Sequence, residues 1–187
     1  MRKIKTMEDI ERIRRRNNLI MGVIMIGLMV FASLGYSLMS ADGESTSKIS
    51  ELGFDFVRSD GLWKVAIGEE IFGFQYLPSE VSDVDVNLSI ELSEYSGQVL
   101  YFANPSEGAS ELLNNIERYI LRYQEACLDS ENESCEGDLP IKNCSSNLIV
   151  FEFGNDTKVY DNESCVYVVG DSVRGVDAFL YEVLDIK

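Results

Sequence analysis

The sequence contains no histidine. That removes the commonest general acid or base near neutral pH and the commonest ligand for transition metals. Hydrolases built on a Ser–His or Cys–His triad are excluded with it, as are zinc enzymes with imidazole ligands. The chain also lacks a CxxC pair, a Walker phosphate loop, a GxGxxG turn and any internal repeat, so neither a cofactor nor a metal site is readable. Cations are scarce outside one end. Residues 1–18 carry seven Lys/Arg against three Asp/Glu, whereas residues 40–187 carry nine against twenty-nine, and the whole chain has a net charge of -16. A surface that acidic repels nucleic acid and anionic lipid headgroups and keeps a protein soluble, so no nucleic-acid partner is expected.

Hydrophobic residues make up 45% of the 187 and charged residues 26%, a balance that argues for one folded domain with appendages and against disorder. From Leu19 to Met39 the chain runs without a charge. As a helix this stretch reaches about 31 Å, the thickness of a hydrocarbon core. Arg14, Arg15 and Arg16 precede it and Asp42 and Glu44 follow it. Positive charge stays on the cytoplasmic side, which predicts a single-pass signal-anchor in the cell membrane with its N-terminus in the cytoplasm. A cleavable signal peptide is the rival, but its apolar region should span only about 7–15 residues. The expected division is a basic stub over 1–18, a transmembrane helix over 19–39, a juxtamembrane linker over 40–61 and an extracytoplasmic domain over 62–187.

All four cysteines, Cys127, Cys135, Cys144 and Cys165, fall in the outer part. An even number in an exported domain reads as disulfides, with three pairings open. The preferred one joins Cys127 to Cys135 across a polar loop and Cys144 to Cys165 across two strands, each contributing roughly 2.5–3.5 kcal/mol by chain entropy. A four-cysteine zinc site lacks the usual knuckle spacing. Five N-x-[ST] sequons, at Asn87, Asn132, Asn143, Asn155 and Asn162, become glycan acceptors if the domain is exported, although an acidic, Ser/Asn-rich chain generates such triplets by accident.

Leu62–Ile67 and Glu70–Tyr76 read as strands around a Gly68-Glu69 hairpin turn, and Val84–Leu92 as a strand with one apolar face. Val99–Phe102 is a short apolar strand. A helix capped by Ser106 or Ser110 follows, with Leu112, Leu113, Ile116, Ile120 and Tyr123 at helical spacing, running on into the Cys127 loop. Asn147–Phe153, Lys158–Tyr160 and Cys165–Val169 read as three more strands, and a second helix closes the chain behind Asp171 or Ser172. Strand, helix, strand over residues 99–153 suggests one parallel crossover. The fold class expected is α+β: a transmembrane helix, then one mixed, mostly antiparallel sheet with two packed helices and two disulfides.

The FxYLP stretch (Phe74, Tyr76, Leu77, Pro78), DLPIKNC ending at Cys144, the strand pair reaching Cys165 and the closing DAFLYEVLDI (Asp177–Ile186) resemble a group of archaeal single-pass membrane-anchored proteins with a four-cysteine outer domain. The resemblance covers most of the outer part and supports the preferred disulfide pairing. It implies no activity and therefore no functional residues.

Other constellations have plainer explanations. Asp129, Glu131, Glu133, Glu136 and Asp138 crowd one loop, but an EF-hand's glycine would fall on Ser134 and its last ligand on Pro140. GDSVRG (Gly170–Gly175) opens a helix, where Asp171 suits capping and would repel a phosphate. Trp63, Phe72, Phe74 and Tyr76 could line a groove, yet aromatics alternating along a strand usually face the core. The resulting expectation is a membrane-tethered, non-catalytic binding or structural module with an envelope or surface protein as partner. The alternative is an extracytoplasmic hydrolase using two converging acids in a pocket, about 5–10 Å apart.

Overall fold

The computed structural model describes residues 15–29, 47–129 and 138–187. Two compact units divide the chain, residues 1–45 and 46–187. In the first, residues 15–29 form helix α1. Its apolar side chains from Leu19 to Met29 are mostly exposed, Leu19 at 70% and Met29 at 79%. Among the described residues no helix is long and apolar enough to cross a membrane. The span expected over 19–39 continues through residues 30–39, which lie outside the described residues.

The second unit begins with a four-stranded antiparallel meander: β1 (Lys48–Glu51), β2 (Phe54–Ser59), β3 (Leu62–Ile67) and β4 (Glu70–Phe74), in that order. Three two-residue turns connect them, each placing a glycine in the left-handed region: Gly53, Gly61 and Gly68. The hairpin expected at Gly68-Glu69 is present, with Ile67 opposite Glu70. A six-stranded mixed sheet follows, with β5 (Asp85–Asn87), β6 (Val99–Ala103), β7 (Arg122–Glu125), β10 (Leu148–Glu152), β11 (Lys158–Asn162) and β12 (Cys165–Val169) in the order β5-β11-β12-β10-β6-β7. Only β11 and β12 pair antiparallel; the other neighbours run parallel. A short parallel pair, β8 (Cys127–Leu128) with β9 (Ile141–Lys142), forms a third sheet.

Helices α2 (Glu107–Ile116) and α3 (Ser172–Val183) pack on one another and form a layer between the two large sheets. Their positions follow from helical phase. On α3, Gly175 meets Val168 and Val159 of the six-stranded sheet. Asp177 and Tyr181 bond to the chain at the end of the meander. Residues two apart lie about 200° apart around a helix, so α3 faces a sheet on each side. This explains why it is buried almost continuously from Val173 to Tyr181. The shared core joins Phe56, Phe72 and Phe74 of the meander, Leu112, Ile116, Val176 and Leu180 of the helices, and Ile149, Phe151, Val166 and Val168 of the larger sheet. Tyr181 stacks on Phe74 with ring centroids 4.3 Å apart. Each fully buried side chain of this size contributes about 1.5–3 kcal/mol.

The α+β class with two packed helices stands, and four expectations are corrected. The expected single sheet is two large ones separated by the helices. The stretch read as a linker over 40–61 contains β1 and β2, because Phe54 and Phe56 alternate with polar residues and Phe56 is fully buried. The strand read over Val84–Leu92 pairs only through Asp85–Asn87; beyond it Asp161 accepts from the Ser89 N–H and hydroxyl, and Leu92–Tyr95 is a 3-10 turn. The helix read into the Cys127 loop ends at Ile116. There the Leu121 N–H turns to the Gln98 carbonyl, and Arg122–Glu125 joins the sheet as its edge strand.

A candidate carboxyl clamp on the edge of the meander

β4 is the last strand of the meander, so one edge of its backbone lacks a strand partner. The helices occupy that edge with polar side chains. On α2, Glu111 and Asn115 are four residues apart and share one face, and Arg118 follows in the turn just past the helix. Asn115 is 1% exposed and acts as a substitute strand. Its Oδ1 accepts from the Gly73 N–H at 2.8 Å and its Nδ2 donates to the Gly73 carbonyl at 2.8 Å. Nδ2 also donates to the Glu111 carbonyl at 3.1 Å. Arg118 donates to the Ile71 carbonyl, pairs with Glu70 and lies over the Phe72 ring.

From α3, Asp177 Oδ2 accepts from two successive backbone amides, Gln75 N–H at 2.9 Å and Tyr76 N–H at 2.8 Å. The Tyr181 hydroxyl donates to the Tyr76 carbonyl at 2.6 Å. Glu111 Oε2 accepts from Gln75 Nε2 at 3.2 Å. Asp177 is 0% exposed and Glu111 3%. The two carboxyls meet at one residue: Asp177 holds the Gln75 backbone N–H and Glu111 the Gln75 side-chain amide. Their remaining oxygens, Asp177 Oδ1 and Glu111 Oε1, meet no donor among the described residues. No described Lys or Arg forms an ion pair with either acid.

Two carboxylates cannot both stay ionised when buried side by side without a cation. Burial pushes the Asp177 carboxyl up to about 8, opposed by the amide hydrogen bonds and reinforced by the charge of Glu111. Burial likewise raises Glu111 above the usual carboxylate range. A proton on one of the two acids would lower this cost.

Both acids are closed off from solvent, and their hydrogen bonds go to Gln75 and Tyr76 in the segment just past β4. A cleft of about 540 Å³ between Leu88–Ser93 and Glu182–Lys187, and two smaller ones of about 450 and 270 Å³, are lined by none of Glu111, Asn115 or Asp177.

The residues singled out from sequence are scattered. Cys144 and Cys165 are bonded to one another, linking the approach to β10 with the first residue of β12. Cys127 is also in a disulfide, while Cys135, its expected partner, lies outside the described residues. Asn87, Asn143, Asn155 and Asn162 are exposed; Asn132 lies outside the described residues, as does most of the acidic loop. Among the described residues no group of acids or cysteines is arranged to hold a metal ion. Asp171 caps α3, accepting from the Val173 and Arg174 N–H groups. Phe72 and Phe74 are core, with Trp63 and Tyr76 packed against it, so these aromatics form no groove.

Sequence reasoning missed the clamp itself. Its signal was Asp177 inside an apolar run, Val176 to Tyr181, and Glu111 beside the buried Leu112. No family model matches the chain, and no curated protein or solved structure is similar to it.

Proposed function

We propose that the chain is a membrane-tethered, extracytoplasmic module that works by binding or by structural support rather than by catalysis. The observation that carries this reading is the exposed apolar surface of α1. Residues 19–29 are helical, uncharged and open along their length, and Arg15 and Arg16 stand in the turn before them. Exposed apolar surface of this extent needs a partner, and an uncharged run that continues to Met39 suits lipid. The Cys144–Cys165 disulfide agrees with an oxidising exterior. The carboxyl pair lends no support to the hydrolase alternative, since both acids are buried and line none of the three clefts described above.

Protease added outside sealed right-side-out vesicles tests the tether. It should digest residues 46–187 and spare a membrane-embedded fragment containing Arg14 to Met39. Full protection of the domain, or release of the intact chain by carbonate washing, would overturn the proposal.

A further inference from the structure

We propose that Glu111 and Asp177 form a proton-operated latch: with one proton shared between them they seal the helix layer onto the edge of β4, and without it they release the meander. The reading goes beyond the tether and does not depend on it. Geometry supports it in three ways. The pair sits at the junction where α2, α3 and the end of β4 meet. The side chains of both acids bond across that junction, Asp177 to the Gln75 and Tyr76 N–H groups and Glu111 to the Gln75 amide. One oxygen of each acid is buried without a donor among the described residues, a lack that protonation of the pair relieves.

The surroundings offer nothing to take the proton's place. From the segment after β4 the pair faces the Gln75 amide and the Tyr76 backbone. Asn115 lies beside it on α2 and Tyr181 on α3. Glu51 of β1 and Glu80 of the Pro78–Val81 turn add negative charge, which with burial holds Tyr181 protonated. Arg118, one turn beyond Asn115, is engaged with Glu70 and the Ile71 carbonyl. Arg174 is engaged with Asp83 and the Glu80 carbonyl. The six-stranded sheet presents apolar Val159 and Val168 to the far side of α3.

When the latch opens, both carboxyls gain water and return to the ordinary carboxylate range, and the proton passes to solvent. The sealed state therefore binds one proton more than the open state between about pH 5 and the folded value of about 8. Sealing is complete at the acid end of that window and fades as the pH rises through it.

Amide hydrogen exchange on the full chain in mild detergent reads the latch directly. The Gln75 and Tyr76 N–H groups, which Asp177 accepts, are compared with backbone amides of β10 in the other sheet. Base-catalysed exchange alone speeds up about tenfold per pH unit, and opening linked to loss of one proton adds another factor of about ten. Gln75 and Tyr76 should accelerate about a hundredfold per pH unit within the window, and the β10 amides only about tenfold. Asp177→Asn, which can still accept from both amides and can donate to Glu111, should bring Gln75 and Tyr76 back to about tenfold. Glu111→Gln should do the same and serves if the first variant does not fold. Tenfold behaviour in the unaltered protein would overturn the latch. So would hundredfold behaviour shared by β10, which would mean global unfolding, or a steep dependence surviving in either folded variant.

Discussion

Replacing Asn115 tests whether the helices hold the meander by hydrogen bonding or only by packing. Asn115→Ala removes an acceptor for the Gly73 N–H and a donor to the Gly73 and Glu111 carbonyls. An orphaned buried polar group costs about 1–3 kcal/mol, and Gly73 is half-buried, so water recovers part of the loss. The expected destabilisation is about 2–4 kcal/mol, a large share of the roughly 5–15 kcal/mol that holds a domain together. Asn115→Asp is nearly isosteric and keeps the acceptor toward Gly73, but it loses both donations and sets a third carboxyl beside Glu111 and Asp177. At pH 7 it should therefore cost at least about 1 kcal/mol more than alanine. The gap should shrink toward pH 4 as the new acid takes up a proton. Urea unfolding followed by the fluorescence of Trp63 measures both, because this single tryptophan lies on β3 opposite Phe74. With a slope of about 1–3 kcal/mol per molar, the alanine midpoint should fall by about 1–2 M. If aspartate is as mild as alanine or milder at pH 7, Asn115 fills space and the hydrogen-bonded clamp is wrong.

Three further outcomes are expected. Cys144→Ser should lower stability by roughly 3 kcal/mol in denaturant titration, since the bond closes a loop of 21 residues' separation in the unfolded chain. Gly108→Ala should cost about 1–3 kcal/mol, because a β-carbon there would sit 2.5 Å from the Ser172 carbonyl oxygen where α2 and α3 meet; Ser110→Ala on the exposed side of α2 is its control and should change little. Asp171→Ala removes two capping acceptor contacts from α3 and should cost about 1 kcal/mol by the same titration.

What could be read in advance was whatever repeats along the chain. Cys165–Val169 forms a strand over the expected residues because a run of apolar residues between Asn162-Glu163 and Gly170 has clear punctuation at both ends. The cap at Asp171 was visible for the same reason. β7 was hidden because Arg122–Glu125 is exposed on every residue and carries no apolar pattern, while Ile120 and Tyr123 continue the helical phase of α2. β1 and β2 were hidden because only Phe56 among their residues is fully buried. The clamp was invisible for a different reason. Burial of Glu111 and Asp177 depends on α2 and α3 lying between two sheets, a tertiary arrangement that no local spacing encodes. Among twenty-nine acids beyond residue 40, two buried ones look like all the rest.

The order of the meander has a mechanical consequence. β1 is its outermost strand, and its open end sits where Lys48 faces Val57, with the Arg58 N–H bonded to the Ser47 carbonyl. A pull on the chain ahead of Ser47 loads that single rung first, then the next, like a zipper and not like a lap joint sheared all at once. The first stop is Glu51, which accepts from the Ser79 N–H and hydroxyl, and the next is Phe56, whose ring is seated against Phe74 and Tyr181. Past it, β2, β3 and β4 peel in turn, and Lys48–Phe74 straighten to roughly 90 Å of contour. The six-stranded sheet is reached only through the core that it shares with the meander. A domain strung from its N-terminal side would thus load the meander first, strand by strand, and meet its strongest resistance at β4, where Asn115, Asp177 and Tyr181 grip the chain.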